Sequence, residues 1–528
     1  MLYQRRNSVK NTSTCCAMHL VYTSRQRLLL LAILAVSAVL LFFDLGAKSM
    51  WIDEYNAVDI ASAPNLDGTT QAVLQGFQRQ PPLYFWLLHL WIRIAGTGDV
   101  AVRVPSALMG LASVLLIFLL ACEFDRPEVG LIAAYLLAIS PTFVLYARMA
   151  RYYMPTLFFS LLSGCLFWRL IRPRNAQTDP WLWIAYTLTN ILLLLSSYVA
   201  GASLACHAVV MLIQARQHHL QFKRWLASML VSGAMALLWF VYALSYIRSY
   251  PLTPADYASG LSAYAIKLAY PFYSFAIGET LFPWRWPAIL SSLAVFILVF
   301  YGVKRLCHQR MLLSFLVIGL GASIILVVLS TIWFVVDVPF INIPSRAIFA
   351  APFLYVLMAI GIDTLPSSTC KTISLAVLTV SAASGLVNYY RGNEFHNPIY
   401  VVPMREIVTR VQNECQLGDV IISESDTGFG YYYRLGSQPI PLWYSDTALA
   451  LLQANLPRRA WVITFGRDAT RSVTNEELLE WLDQNYNLDW EEGYVEQDPV
   501  YRQLKERLLH RPAYRYKVVL QRYVRDKP

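Results

Sequence analysis

Charge is scarce in this chain. Only 14% of its 528 residues are Asp, Glu, Lys or Arg, against about 25% in an ordinary soluble domain. The bulk of the chain, 57% hydrophobic with a mean hydropathy of +0.44, therefore dissolves in lipid rather than water. Cysteine chemistry is lacking too. The eight cysteines form no C-x-x-C and no Cys/His ligand spacing, and Cys122, Cys165 and Cys206 lie inside apolar runs, so neither a disulfide framework nor a zinc site is implied. No G-x-G-x-x-G or Walker motif is present, so no nucleotide-binding loop is visible. The formal charge of +10 falls between apolar runs and makes no continuous stripe, so it marks membrane topology and excludes nucleic acid as a partner.

What the chain does have is long apolar runs. A helix needs about 20 apolar residues to cross the hydrocarbon. Eleven runs qualify, near 28–45, 104–123, 130–147, 155–171, 181–196, 199–215, 225–245, 287–303, 311–336, 346–363 and 372–390. Residues 1–27, with Arg5, Arg6, Lys10, Arg25 and Arg27, form a cytoplasmic tail before an uncleaved first span. The segment 81–95 is short and opens with two prolines. Placed along the interface within one long external loop, 46–103, it returns the clusters Arg169/Arg172/Arg174, Arg216/Lys223/Arg224 and Lys304/Arg305/Arg310 to the cytoplasm. The fold class expected is a polytopic all-α membrane bundle of about eleven transmembrane helices over 28–390. Residues 391–528 form a small C-terminal α/β domain on the extracytoplasmic side. In that domain 403–411 reads as a helix, DVIIS, WVITF and YKVVLQRYV as strands, and Thr474 with Glu477 as a capping box opening EELLEWLDQNY.

The external loops concentrate the ionisable groups. Asp53 and Glu54 are adjacent at the exit of the first span, beside Trp51 and Tyr55, and suit a general base or a divalent-cation site. Simple solvation at the interface is the bland alternative. Arg148 and Arg151 share a helical face, Arg103 enters the second span from the same side and Arg346 the tenth. Together they would suit a phosphate or pyrophosphate head group, while each alone is equally explained by snorkelling to lipid phosphates. Glu279, beside the apolar segment 261–286 that is expected to be re-entrant or interfacial, is a further candidate for substrate contact. Most of the Tyr and Trp residues near span ends read as an aromatic belt.

The stretches WIDEY (51–55), QPPLYFWLLH (80–89), VRVPSALMG (102–110), ISPTFVLYARMARYY (139–153) and SRAIFAAP (345–352), in this order, resemble the GT-C glycosyltransferases. The resemblance is to the protein O-mannosyltransferase-like branch, glycosyltransferase family 39, which includes the aminoarabinose transferase of lipid A. It implies a multi-pass enzyme of the plasma (inner) membrane. Such an enzyme takes a sugar from a polyprenyl-phosphate-linked donor and passes it to a glycan, lipid or protein acceptor on the extracytoplasmic face. The role of catalytic base falls on Asp53 with Glu54 as its neighbour, and donor-phosphate binding on Arg103, Arg148, Arg151 and Arg346. Tyr55, Gln80, Tyr153 and Glu279 are candidate substrate contacts. Two positions depart from the family pattern: Gln80 stands where a basic residue often precedes Pro-Pro, and Met149 where an acid is common. The second departure weakens a two-carboxylate metal site, so no obligatory metal is expected, although Asp53/Glu54 could hold a divalent cation. The rival expectation is a transporter or flippase of lipid-linked saccharides, which would put ionisable groups at mid-membrane depth and repeat its helices. A receptor or assembly protein that binds through its external domain is the third.

Overall fold

The computed structural model describes residues 23–75, 80–124, 126–171, 180–215, 219–247, 261–333, 340–423, 428–436, 440–466, 476–510 and 516–525. The N-terminal half is helical: α1 (Ser24–Phe42), α2 (Ile52–Ala61), α3 (Leu66–Gln75), α4 (Leu83–Ala95), α5 (Asp99–Phe124), α6 (Pro127–Ile139), α7 (Pro141–Ala147), α8 (Tyr153–Ile171), α9 (Pro180–Ser196), α10 (Ala205–Gln214) and α11 (His219–Ile247). Six more follow: α12 (Leu261–Ala276), α13 (Trp286–Leu306), α14 (Arg310–Trp333), α15 (Ile343–Ala347), α16 (Ala351–Thr364) and α17 (Ser368–Arg391). Among the described residues eight helices are long and apolar enough to cross a membrane singly, and α6 with α7 makes a ninth span if the bent pair crosses as one. The expected runs at 181–196 and 199–215 are shorter apolar helices, Pro180–Ser196 and Tyr198–Gln214. Leucines of α1 stay exposed, Leu28 at 69% and Leu31 at 63%, as lipid-facing side chains must be.

Prolines and polar residues inside apolar helices have specific partners. Pro105 has no N–H to give to Ala101, and the freed Ala101 carbonyl accepts instead from the Trp91 indole at 2.8 Å, which docks α4 on α5. With 13 residues, α4 is only about 20 Å long, too short to span. Its His89 meets the Ala61 carbonyl at 2.8 Å and the Thr69 hydroxyl at 3.1 Å, and Arg93 donates to the carbonyls of Ala63 and Pro64. These two polar residues thus fold α2 and α3 back onto α4. Between α6 and α7 the chain bends by 63° at Ser140-Pro141. The residue before proline is steered out of the helical region, and Ser140, extended at ψ 122°, caps α7 through the Phe143 N–H at 3.3 Å.

After α17 come α18 (Met404–Glu414), β1 (Asp419–Ser423), α19 (Phe429–Arg434), β2 (Leu442–Tyr444), α20 (Ser445–Asn455), β3 (Arg459–Gly466), α21 (Glu476–Asn485), β4 (Asn487–Glu496), α22 (Pro499–Leu509) and β5 (Lys517–Val524). The sheet order is β2-β1-β3-β5-β4, parallel over the first three and antiparallel at β3-β5-β4. The small α/β domain, its helix near 403 and its three expected strands are all present. The capping residue Thr474 lies outside the described residues. β4 and the short β2 add to the expectation, because β4 (NLDWEEGYVE) is an acidic edge strand with no fully buried residue and so carries no hydrophobic alternation. This domain sits on the face that carries the 46–103 loop. The Met50 N–H donates to the Tyr432 hydroxyl at 2.6 Å, that hydroxyl donates to Asp99 at 3.0 Å, and Arg405 donates to the Gly46 carbonyl at 2.7 Å.

The helices α13 and α16 meet backbone to backbone. A Cβ on Gly361 would collide with the Leu298 carbonyl, and one on Gly302 with the Leu357 carbonyl. Gly361→Ala is expected to force the pair apart and cost about 1–3 kcal/mol. A thermal-unfolding midpoint in detergent equal to that of the wild type would contradict this close approach.

Candidate functional site

Glu54 and Asp53 are neighbours in sequence with opposite surroundings. Glu54 is 1% exposed. Its two oxygens receive Arg103 Nε and Nη2 at 2.8 Å each, and Oε1 also receives the Ala150 N–H at 2.7 Å. At 3.4 Å Oε2 accepts from the Trp51 N–H, closing the capping box of α2. Every acceptor direction that a substrate proton or a cation would need is filled, so Glu54 is a fold-holding residue and not the catalytic neighbour expected of it. Asp53 is different: its side chain stays 31% exposed, held by Arg151 Nη2 at 3.1 Å, while Arg151 Nη1 donates to the Asp53 carbonyl at 3.1 Å.

The arginines divide in the same way. Arg103 spends its remaining N–H groups on the carbonyls of Leu45, Lys48 and Ser49. Arg148 donates to the carbonyls of Leu40, Leu41, Phe43 and Asp44 at 2.7–3.1 Å and to the Tyr389 hydroxyl at 2.9 Å. A helix leaves its last four carbonyls without intrahelical donors. Arg148 satisfies two of those of α1, Leu40 and Leu41, and the Phe43 and Asp44 carbonyls just past its end, where Asp44 turns the chain at φ 50°. Both guanidiniums are buried and used by backbone, which removes Arg103 and Arg148 from the expected phosphate-binding set. Arg346, half-buried on α15, has one hydrogen bond, to the Asn342 carbonyl at 3.2 Å, and no carboxylate partner among the described residues.

Two tyrosines gather the open groups. Arg151, which holds Asp53, lies over the Tyr153 ring at 5.7 Å, and Tyr153 packs edge-on at 5.2 Å against Tyr146, the donor to Glu279; Arg346 is within electrostatic reach of Tyr153, and Asp53 and Glu279 of Tyr400. Tyr400 packs edge-on against Trp51 at 4.9 Å. Glu279, in the loop after α12, accepts from Tyr146 at 2.7 Å and Ser274 at 2.8 Å through Oε1, while the buried Oε2 has no hydrogen-bond partner among the described residues. Burial pushes its carboxyl up to about 7, against the pull of those two hydroxyls. Tyr55 lies apart from this group, stacked on Tyr431 of the C-terminal domain at 5.8 Å. Gln80 stands half-buried at the entrance to α4. Asp53, Arg151, Tyr153, Arg346 and Glu279 are thus brought together from the expected set. Sequence reading missed Tyr400 and Tyr389, which carry no local motif, and Tyr146, which lies within the 139–153 stretch.

The candidate cation site at Asp53/Glu54 has a limited donor set. Glu54 is closed by a guanidinium, so Asp53 is the one open carboxylate that the pair offers. Among the described residues no cluster of three or more His, Cys, Asp or Glu side chains is placed to hold a metal ion.

The bundle, its loop-borne acid and its appended domain define a membrane-embedded GT-C-fold protein. The chain is similar to the protein O-mannosyltransferase-like branch: residues 79–244 match the model of the dolichyl-phosphate-mannose-protein mannosyltransferase family. Its architecture matches ArnT from Cupriavidus metallidurans in the apo state at a TM-score of 0.55, with 12% identity over 94% of this chain and 98% of that one. The undecaprenyl phosphate-bound form of ArnT matches at 0.54, with 11% identity over 93% and 97%. An uncharacterized protein of Aquifex aeolicus (strain VF5) is 24% identical over 358 residues. That match covers 66% of each chain, just under two thirds of the relative's length.

Two outcomes separate the acids. Glu54→Gln leaves Arg103 buried without its countercharge and is expected to cost about 3–5 kcal/mol, whereas Asp53→Asn, at a carboxylate that stays 31% exposed, should lower the midpoint by less; an equal or larger loss in Asp53→Asn would reverse these assignments. The Glu279 carboxyl titrates near 7 when folded and near 4.3 when unfolded. Its stabilising contribution is therefore complete below about pH 4 and is lost as pH rises to about 7. Glu279→Gln removes that loss, so its stability relative to wild type should climb across pH 5–7.5 by on the order of a few kcal/mol. Parallel pH profiles would mean that the carboxyl is not desolvated.

Proposed function

We propose that the protein is a membrane glycosyltransferase that moves a sugar from a polyprenyl-phosphate-linked donor to an acceptor hydroxyl on the extracytoplasmic face. The observation that carries this reading is Asp53: the one open carboxylate of the acid pair, oriented by Arg151, whose guanidinium lies over the Tyr153 ring. Asp53 takes the proton of the acceptor O–H. The acceptor oxygen forms a bond to the anomeric carbon as the bond from that carbon to the phosphate oxygen breaks, and the bonding pair leaves on the phosphate. One displacement inverts the anomeric configuration. Arg346, with unspent N–H groups, receives the departing phosphate as a charge-assisted partner. No step passes through a metal ion.

The reading also orients the chain. The 46–103 loop, Arg148–Arg151 and the C-terminal domain share one face. At the helix ends away from it lie Arg169 with Glu123, Arg126 and Lys371 with Asp363, and Lys304/Arg305 at the end of α13. The positive-inside rule puts that basic end and the N-terminus in the cytoplasm of an inner-membrane protein, and the α/β domain outside.

Membranes containing the protein are expected to transfer label from at least one member of a panel of polyprenyl-phosphate sugars. Asp53→Asn should lower turnover by about 100-fold or more while remaining folded. Arg346→Gln should weaken donor use with a smaller effect on folding. Undiminished transfer by Asp53→Asn would move the base elsewhere, to Glu279 first.

A further inference from the structure

A cleft of 830 Å³ lies where the C-terminal domain meets the membrane bundle. That is a volume that takes a ligand of one or two sugar rings. One wall comes from the bundle: Lys48, Asn388, Arg391 and Asn393. The other comes from the domain: Glu406, Tyr494, Glu496 and Asp498, and Arg285 with its ion-pair partner Glu394 completes the charged lining. Amides, carboxylates and ring faces of Tyr390 and Phe395 make a lining suited to hydroxylated rings.

Lys48 is the exceptional group there. It lines both the cleft and the small void that holds Trp51, Glu54 and Tyr400, so the cleft borders the residues on either side of Asp53 in the chain. Its ammonium lies over the rings of Tyr389 at 5.3 Å and Phe395 at 5.6 Å. Among the described residues it has no carboxylate within 4 Å, while the buried guanidiniums of Arg148 and Arg103 repel it; Asp44 is the acid that offsets them. Arg391, on the same wall, is exposed and likewise has no ion pair among the described residues. A half-buried cation beside two buried guanidiniums, with its donors unspent, is stabilised by an incoming anion.

We propose that this cleft is the acceptor site and that it takes a saccharide head group bearing a phosphate or other anionic oxygen group, bound through Lys48. The proposal rests on the transferase reading for the word acceptor. Its anion chemistry is shared with the donor phosphate, and the two sources are separable by probe.

The test is calorimetric binding to the full-length protein in detergent of two ligands, glucose 1-phosphate and undecaprenyl phosphate. Wild type, Lys48→Gln and Lys48→Arg are compared, with thermal midpoints confirming that each is folded. Glucose 1-phosphate should bind wild type, lose about tenfold or more in affinity in Lys48→Gln, consistent with one charge-assisted hydrogen bond, and be largely retained by Lys48→Arg. Undecaprenyl phosphate should bind all three alike. Burial and the two arginines bring the Lys48 ammonium down to about 8, so wild-type affinity for the sugar phosphate should fall as pH rises from 7 to 9, whereas Lys48→Arg should not show that fall. A merely structural lysine would give no such pH difference. Weakening of undecaprenyl phosphate alone would hand the cation to the donor and overturn the acceptor assignment. Binding of neither probe to wild type, or equal binding by all three proteins, would overturn the anion site itself. Lys48-dependent binding without any sugar transfer would instead break the transferase reading and leave the site standing.

Discussion

The paired hydrogen bonds between Glu54 and Arg103 are the constraint on which the functional face depends. Both partners are almost completely buried, and burial of an ion pair is tolerated only when its remaining lone pairs and N–H groups are also used. Here the surplus groups bind backbone: Arg103 gathers the carbonyls of 45, 48 and 49, and Glu54 accepts the Ala150 and Trp51 N–H groups. One ion pair thereby joins the exit of α1, the start of α2, the entry of α5 and the loop after α7. Asp53 and Lys48 are placed by the backbone that this pair holds.

The same principle explains why most of the arginines on this face are scaffold. A helix ending at a membrane surface exposes carbonyls that neither lipid nor neighbouring helix can satisfy. Arg148 brings five N–H groups in a fixed fork to that end of α1 and rests on the rings of Tyr389 and Tyr390. Charge that looks available for a ligand is consumed by the fold. What is left over is small and specific: one open carboxylate, the half-buried Arg346, and a lysine beside two buried guanidiniums that Asp44 offsets.

Legibility in the sequence followed the strength of the local signal. Apolar runs of membrane length all became helices, because burial in lipid demands internal backbone pairing whatever the tertiary context. The interfacial reading of 81–95 rested on length and charge bookkeeping, and the helix there is indeed too short to cross. β1, β3 and β5 are apolar enough to be read directly, whereas β4 pairs through its backbone with polar side chains outward and gives no pattern. Among site residues, the loop positions of Asp53, Arg151 and Arg346 could be seen from motif order. Tyr400, some 350 residues from Asp53, could not.

Sequence by itself determined the membrane class, the helical bundle, the presence of an appended α/β domain and the two loops in which ionisable groups collect. These follow from hydropathy, span length and charge placement, which are local properties. Only the tertiary structure decided which members of identical-looking pairs are open. Asp53 and Glu54 differ because Arg103 reaches one and Arg151 the other, and Arg148 and Arg346 differ because only one faces the end of a helix. Hydrogen-bonding capacity is finite and is spent by whatever neighbour the fold brings within about 3 Å, and that neighbour is nowhere written beside the residue in the chain.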